Sequence, residues 1–226
     1  MLFSNSNIEG IENMQFEEIL TRRHSVRDFL PDPVPMSVIT ECVHQAQTAP
    51  SWVNAQEWKV YVATGETLER IRKTYIEKAT AGIQGYTDVA VAHRENWSKA
   101  AQANMEQLGA MLGEQNLGEA MGAVQVPLFN APAVAYFTMP RTASGWAMLD
   151  MGGFYQTFML ALTNAGYGSI PAYGLVKYPD VLRDLLPIGE DEQIVVGVAF
   201  GKPSSAPINS FRTTRAELGD VLVCKA

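Results

Sequence analysis

R-R-H-S-V-R at Arg22–Arg27 and A-P-S-W-V-N-A-Q-E-W at Ala49–Trp58 are the two stretches on which the reading of this chain turns. The first puts three guanidinium groups into six residues of a protein whose formal net charge is −7. Taken alone it reads as a solvated helix end, where basic side chains complement the last carbonyls. The functional alternative is an anion site. Guanidinium groups bind phosphate oxygens in pairs, and Ser25 adds a hydroxyl donor. The second stretch mixes turn formers, amides and two tryptophans. It reads either as an ordinary connection whose Asn54 and Gln56 satisfy its own backbone, or as the edge of a pocket for a planar heterocycle, which an amide meets with both donor and acceptor.

Working outward, Phe16, Ile19 and Leu20 have helical spacing over Met14–Arg22, behind a loose arm in the first dozen residues. The proline-rich F-L-P-D-P-V-P is an extended connection. A second helix is expected from Met36 to about Thr48, with Val38, Ile39, Cys42, Val43 and Ala46 buried and Pro50 as its stop. W-K-V-Y-V-A-T, Trp58–Thr64, reads as a strand, followed by a helix carrying Leu68, Ile71 and Tyr75. A-V-A-Y-F-T, Ala133–Thr138, is a second strand. Q-I-V-V-G-V-A-F-G, Gln193–Gly201, is a third, buried on both sides. Trp146–Ala165 is apolar on nearly every face, so the helix it predicts needs a central position or a subunit interface. G-Y-G-S-I-P-A-Y-G reads as a turn-rich connection, and Y-P-D-V-L-R-D-L-L-P as a short helix. The end L-G-D-V-L-V would pair with a sheet edge.

Ala81–Gln125, rich in Ala, Gln, Glu, Met and Gly, reads as a helical insertion with glycine breaks. A solvated hairpin and a lid over a pocket fit it equally. Helices and strands do not alternate one for one, and no G-x-G-x-x-G follows a first strand, which argues against a dinucleotide fold. An α+β domain spanning 1–226 fits instead, with the insertion at about 81–125 and a C-terminal arm at about 211–226.

The bulk numbers narrow the function. Seventeen basic against twenty-four acidic residues exclude the broad basic surface of a nucleic-acid binder but leave room for a small basic pocket. No apolar run approaches a spanning helix, and the N-terminus lacks a signal pattern, so no membrane association is expected. Cys42 and Cys224 have no metal-ligand spacing and do not form a disulfide scaffold, which suits a reducing compartment, the cytoplasm. His24, His44 and His93 are scattered, so no metal site is expected.

In combination, R-H-S-V-R followed by A-P-S-x-x-N-x-Q-x-W resembles the FMN-dependent nitroreductase family. D-M-G-G-F-Y-Q (Asp150–Gln156), G-Y-G-S-I-P (Gly166–Pro171) and the late Arg215 agree with it, so the likeness runs from about Met14 to Val223. The resemblance implies a central mixed or antiparallel sheet flanked by helices, in an obligate homodimer with an FMN site at each interface. It implies that Arg23, Ser25 and Arg27, with the adjoining His24, hold FMN from one subunit. Arg23 would engage the phosphate together with Arg215, or with Arg212, since spacing does not choose between them. Arg27 would lie near the pyrimidine edge, where a fixed cation favours the reduced anion. Pro50, Ser51 and Asn54 would come from the partner chain, with Trp52 near the open flavin face, and the Ile170–Gly174 stretch, which holds Pro171, Tyr173 and Gly174, would supply a backbone N–H to flavin N5.

Four positions depart from the family pattern: Glu57 stands where proline is usual, Thr157 where asparagine is common, Tyr173 where some members are acidic, and Trp52 is bulkier than its usual equivalents. The implied reaction moves hydride from NADH or NADPH to the flavin and then to a nitroaromatic, quinone or similar small electron-poor molecule at the same place. It needs no side-chain acid or base for the hydride step, so no catalytic side chain is expected. The alternatives are a dehalogenase or oxidase of the same fold, a non-catalytic flavin-binding protein, and a plain structural dimer.

Overall fold

β2 (Ala133–Pro140) is buried along almost its whole length, as a strand covered on both faces must be. In this computed structural model, which describes residues 14–225, it is a central strand of a four-stranded sheet. β1 (Lys59–Thr64) flanks it on one side and β4 (Glu192–Gly201) on the other, and β3 (Gly168–Ala172) closes the far edge, giving the order β1-β2-β4-β3. Every ladder is antiparallel, which settles the expectation of a mixed or antiparallel sheet. A parallel bridge, Ser25 to Ser169, lays the basic segment along the outer side of β3, with the Val26 N–H donating to the Ser169 carbonyl at 3.0 Å.

The period-two alternation of β2 sorts its side chains onto two cores. Ala133, Ala135, Phe137 and Met139 face α2 (Met36–Ala46) and α6 (Gly145–Asn164). Val134 and Tyr136 face the opposite layer, with Leu68, Ile71 and Tyr75 of α3 (Gly65–Thr80) and Val181 and Leu182 of α7 (Pro179–Leu185). The first of these cores is strongly aromatic. Phe137 meets Phe154 and Phe158 edge-on, with centroids 5.8 and 5.5 Å away, and Phe158 meets Phe200 at 5.5 Å. Truncating any of these buried rings to alanine costs about 3–5 kcal/mol.

Two expectations are corrected. Gly166–Gly174 is not merely a turn-rich connection, because its middle is β3. Edge position explains why the strand tolerates Pro171, which has no N–H to offer a further ladder. Gly168 is there for space, since a Cβ on it would stand 2.5 Å from Val26 Cγ2. The apolar end of the chain does not join the sheet. Leu218–Val221 forms one exposed helical turn, α8.

Boundaries shift modestly. The first helix, α1, begins at Phe16, α2 ends at Ala46, and β1 begins at Lys59 rather than Trp58. The expected insertion contains α4 (Lys99–Glu114) and α5 (Gly118–Gln125). Its first part holds no α-helix and is tied down by Asp88, whose side chain is 6% exposed. Asp88 accepts from Arg183 at 2.7 Å and from the Ile194 N–H at 2.8 Å. The expected N-terminal arm and residue Ala226 lie outside the described residues.

Candidate active site

Arg22 behaves as a helix-end cation, pairing with Glu18 one turn back at 2.6 Å. Arg23 and Arg27 do not. They line a cavity of about 240 Å³ with His24, Ser25, Arg212 and Arg215. No carboxylate lines it, and none of its four arginines has an ion-pair partner among the described residues. Burial, then the nearby Arg215 charge, pulls the Arg23 pKa down; burial, then Arg212, does the same to Arg27. His24 is also lowered, chiefly by burial and then by Arg212 and Arg23, against the raising effect of its contact with the Arg22 carbonyl. Like charges crowded into a partly dried cavity repel one another. A phosphate dianion relieves that repulsion and matches the fork geometry of the guanidiniums, so the residues present fit such a group.

The cavity is held open from its C-terminal side. Asn209, 9% exposed, accepts the backbone N–H of Arg27 at 2.7 Å and of Asp28 at 3.1 Å through Oδ1. Its Nδ2 donates to the Asp28 carbonyl at 2.7 Å. Arg212 donates to the carbonyls of Asn209 at 2.8 Å and Phe211 at 3.1 Å, while Arg215 bonds Thr213 Oγ1 at 2.7 Å. Both late arginines therefore reach the cavity, each braced by its own backbone segment. Asn209 was not singled out in the sequence. A lone asparagine in S-S-A-P-I-N-S carries no signal for a bond across 182 residues.

The strand beside the basic segment leads to the second group of expected residues. From Ser169, opposite Ser25, β3 runs through Pro171 into the turn at Tyr173–Leu175. Gly174 is buried there and Tyr173 is about half exposed. The end of α5 approaches this turn, since a Cβ on Gly174 would stand 3.8 Å from Gln125 Oε1.

Pro50, Ser51, Trp52 and Asn54 lie elsewhere in the subunit, on a loop seated against the start of α6. The Trp52 N–H donates to Asp150 Oδ2 at 3.0 Å, and the Trp52 ring stacks on Trp146 with centroids 4.8 Å apart. Val53, Asn54 and Gln56 hold positive φ of 43°, 61° and 52°. That conformation is unusual for any residue with a side chain and rarest for a β-branched one such as Val53. The turn is braced by the Gln56 N–H donating to Ser51 Oγ at 3.2 Å. None of these loop residues lines the arginine cavity. Thr157, one of the departures, lines a separate and larger apolar cavity of about 420 Å³ with Phe16, Ile19 and Leu160. The chemistry-bearing residues are not there.

The sequence profile of the nitroreductase family matches residues 20–202, most of the chain. The chain belongs to the nitroreductase family. Among relatives of this nitroreductase, it is 27% identical over 215 residues to a 4-nitrobenzoate reductase of Pseudomonas putida, covering 88% of this chain and 91% of that one. It is 28% identical over 214 residues to nitroreductase NfnB of Mycolicibacterium smegmatis, with 90% of each covered. The crystal structure of FMN-dependent NfnB from Mycobacterium smegmatis in complex with NADPH superposes with a TM-score of 0.84 at 27% identity, covering 93% of this chain and 97% of that one.

Among the described residues, no group of three or more His, Cys, Asp or Glu side chains is placed to hold a metal ion, and no helix is long and apolar enough to cross a membrane.

Proposed function

We propose that this nitroreductase binds FMN and uses NADH or NADPH to reduce small, flat, electron-poor molecules, with nitroaromatics and quinones as the substrate class. The single observation that carries the reading is the cavity lined by four arginines and no carboxylate. Relatives named for nitrobenzoate reduction and a neighbour described as FMN-dependent and complexed with NADPH support the same assignment.

Arg23 and Arg215 neutralise the phosphate, with Arg212 beside them. Ser25 offers its hydroxyl as a further donor. Arg27 sets a cation where negative charge accumulates on reduction, and its burial strengthens that effect. The Tyr173–Gly174 backbone aims a donor at the reacting edge. Bound there, FMN would supply the hydride chemistry between the nicotinamide and the oxidant. No side chain has to act as acid or base in the hydride step.

The site requires a second copy of the chain. Pro50, Ser51, Trp52 and Asn54 sit away from their own arginine cavity, and Val53 is 83% exposed. Trp146 and Leu149 leave α6 with exposed apolar side chains. A homodimer covers these groups and brings the Asn54 loop of the partner subunit to the flavin. We read residues 1–226 as one FMN-binding domain, with the 81–125 insertion and the 211–226 arm as attachments. The cytoplasm is the compartment we assign, in keeping with a buried free Cys42 and an exposed free Cys224.

Turnover tests the reading. Steady consumption of NADH or NADPH with menadione or a nitroarene is expected. A flavin-loaded protein that consumes neither donor with either oxidant would instead be a flavin-binding protein or a specialised flavoenzyme of this fold.

A further inference from the structure

We propose that Phe211 is a positioning residue for Arg27, and that α4 and α5 act on the cofactor cradle through it. The inference rests on the FMN reading above. Arg27 is 8% exposed, and its guanidinium carbon lies 5.4 Å from the centroid of the Phe211 ring. One of its nitrogens, Nη1, donates to the Ser25 carbonyl at 2.9 Å. The rest of the group has no carboxylate to hold it.

An arginine side chain has several freely turning bonds, so a catalytic cation needs something to fix the plane of its head. An aromatic face does this, because its negative quadrupole attracts the guanidinium. Asn209 already fixes the backbone of Arg27, and Phe211, two residues along, fixes the head.

Phe211 is itself held by the inserted helices. It is 1% exposed and forms a small core with Ile208 and Leu117, packed by Met111, Leu112 and Met121 of α4 and α5. This cluster is separate from both cores of the sheet. α5 also leans on a sheet core through Val124, so it is a shift of α4, which carries Met111 and Leu112, that moves Phe211 with the least repacking of the domain. The insertion is thus neither a bare solvated hairpin nor only a cover: it braces the arginine from behind.

A double-mutant cycle on FMN affinity of the apoprotein tests this, read by quenching of flavin fluorescence, with the flavin midpoint potential as a second readout. Phe211→Leu is expected to weaken FMN about tenfold and make the bound flavin harder to reduce. Phe211→Tyr, which keeps the ring, should hold both values. In an Arg27→Ala background, Phe211→Leu should add nothing. Leu117→Ala, in the same small core as Phe211, should follow the same pattern and serves if Phe211→Leu fails to fold. Equal losses in both backgrounds, or no loss from either variant, overturn the proposal while leaving the FMN reading intact. If Arg27→Ala leaves FMN affinity unchanged, or the apoprotein takes up no FMN, the reading of the cavity fails and this proposal with it.

Discussion

Asn209 Oδ1 accepts the backbone N–H of Arg27 at 2.7 Å, joining two segments 182 residues apart and setting the direction in which the arginine leaves the chain. The same oxygen accepts from Asp28, and Nδ2 returns a bond to the Asp28 carbonyl. The amide offers an acceptor oxygen and a donor nitrogen side by side, which lets it bridge both N–H groups and the carbonyl. Asn209→Ala leaves the buried N–H of Arg27 and the part-buried N–H of Asp28 without their acceptor, while the Asp28 carbonyl keeps the Ser204 N–H at 3.1 Å. Thermal or urea unfolding should register a loss of about 1–3 kcal/mol. Asn209→Asp keeps the acceptor but removes the donor and adds a charge beside the arginine cavity, so it should recover only part of that stability.

Arg23 is the residue assigned to the phosphate. Arg23→Ala should loosen FMN by about 1.5–3 kcal/mol, the scale of a hydrogen bond to a charged group. Equilibrium dialysis or flavin fluorescence reads it directly. Unchanged affinity would shift the role to Arg212 or Arg215, and the same measurement on those variants would show which.

Asp88 links the start of the insertion to β4 and α7. Burial pushes its carboxyl up, but the bonds from Arg183 and the Ile194 N–H, with the charges of Arg183 and Arg141, outweigh this and hold it below its ordinary value of 3.8. The folded state thus favours the ionised form. Its stabilisation is complete above the unfolded value and is lost as pH falls through the lower folded one. Asp88→Asn should cost about 1.5–3 kcal/mol at neutral pH, and the deficit should shrink in acid below pH 3.8. A deficit that stays constant down to that range would contradict the assignment.

The Trp52–Trp146 stack and the exposed Val53 belong, in this account, to a subunit interface. Light scattering should give twice the 24.8 kDa chain mass. Trp146→Ala should loosen the Trp52 loop and raise the apparent KM for a nitroarene more than it lowers kcat. A stable monomer that retains flavin would contradict the shared site.

Much of the site was legible because its charges break the local rule. Three arginines in six residues of an acidic chain raised an anion site beside the plainer reading of a helix end; Arg22 is such a helix-end cation, paired with Glu18, while Arg23 and Arg27 meet Arg212 and Arg215 in one cavity. Helical spacing in α3 likewise identified Leu68, Ile71 and Tyr75 as its buried face. β3 was hidden because Gly168 and Pro171 carry turn chemistry, and only the edge position and the close passage of Val26 show why they sit in a strand. Asn209 and Phe211 were hidden for a different reason. Their roles come from contacts with Arg27 far back in the chain, which local pattern does not encode. The apolar circumference of α6 asked for cover that one subunit does not provide at Trp146 and Leu149.

The most direct test is the absorbance spectrum of the purified protein, recorded anaerobically before and after adding NADPH or NADH. The visible flavin bands should be present, should bleach on reduction, and should belong to a cofactor released as FMN on denaturation. A colourless protein that takes up no FMN, or a bound flavin that neither nucleotide reduces, would contradict the account.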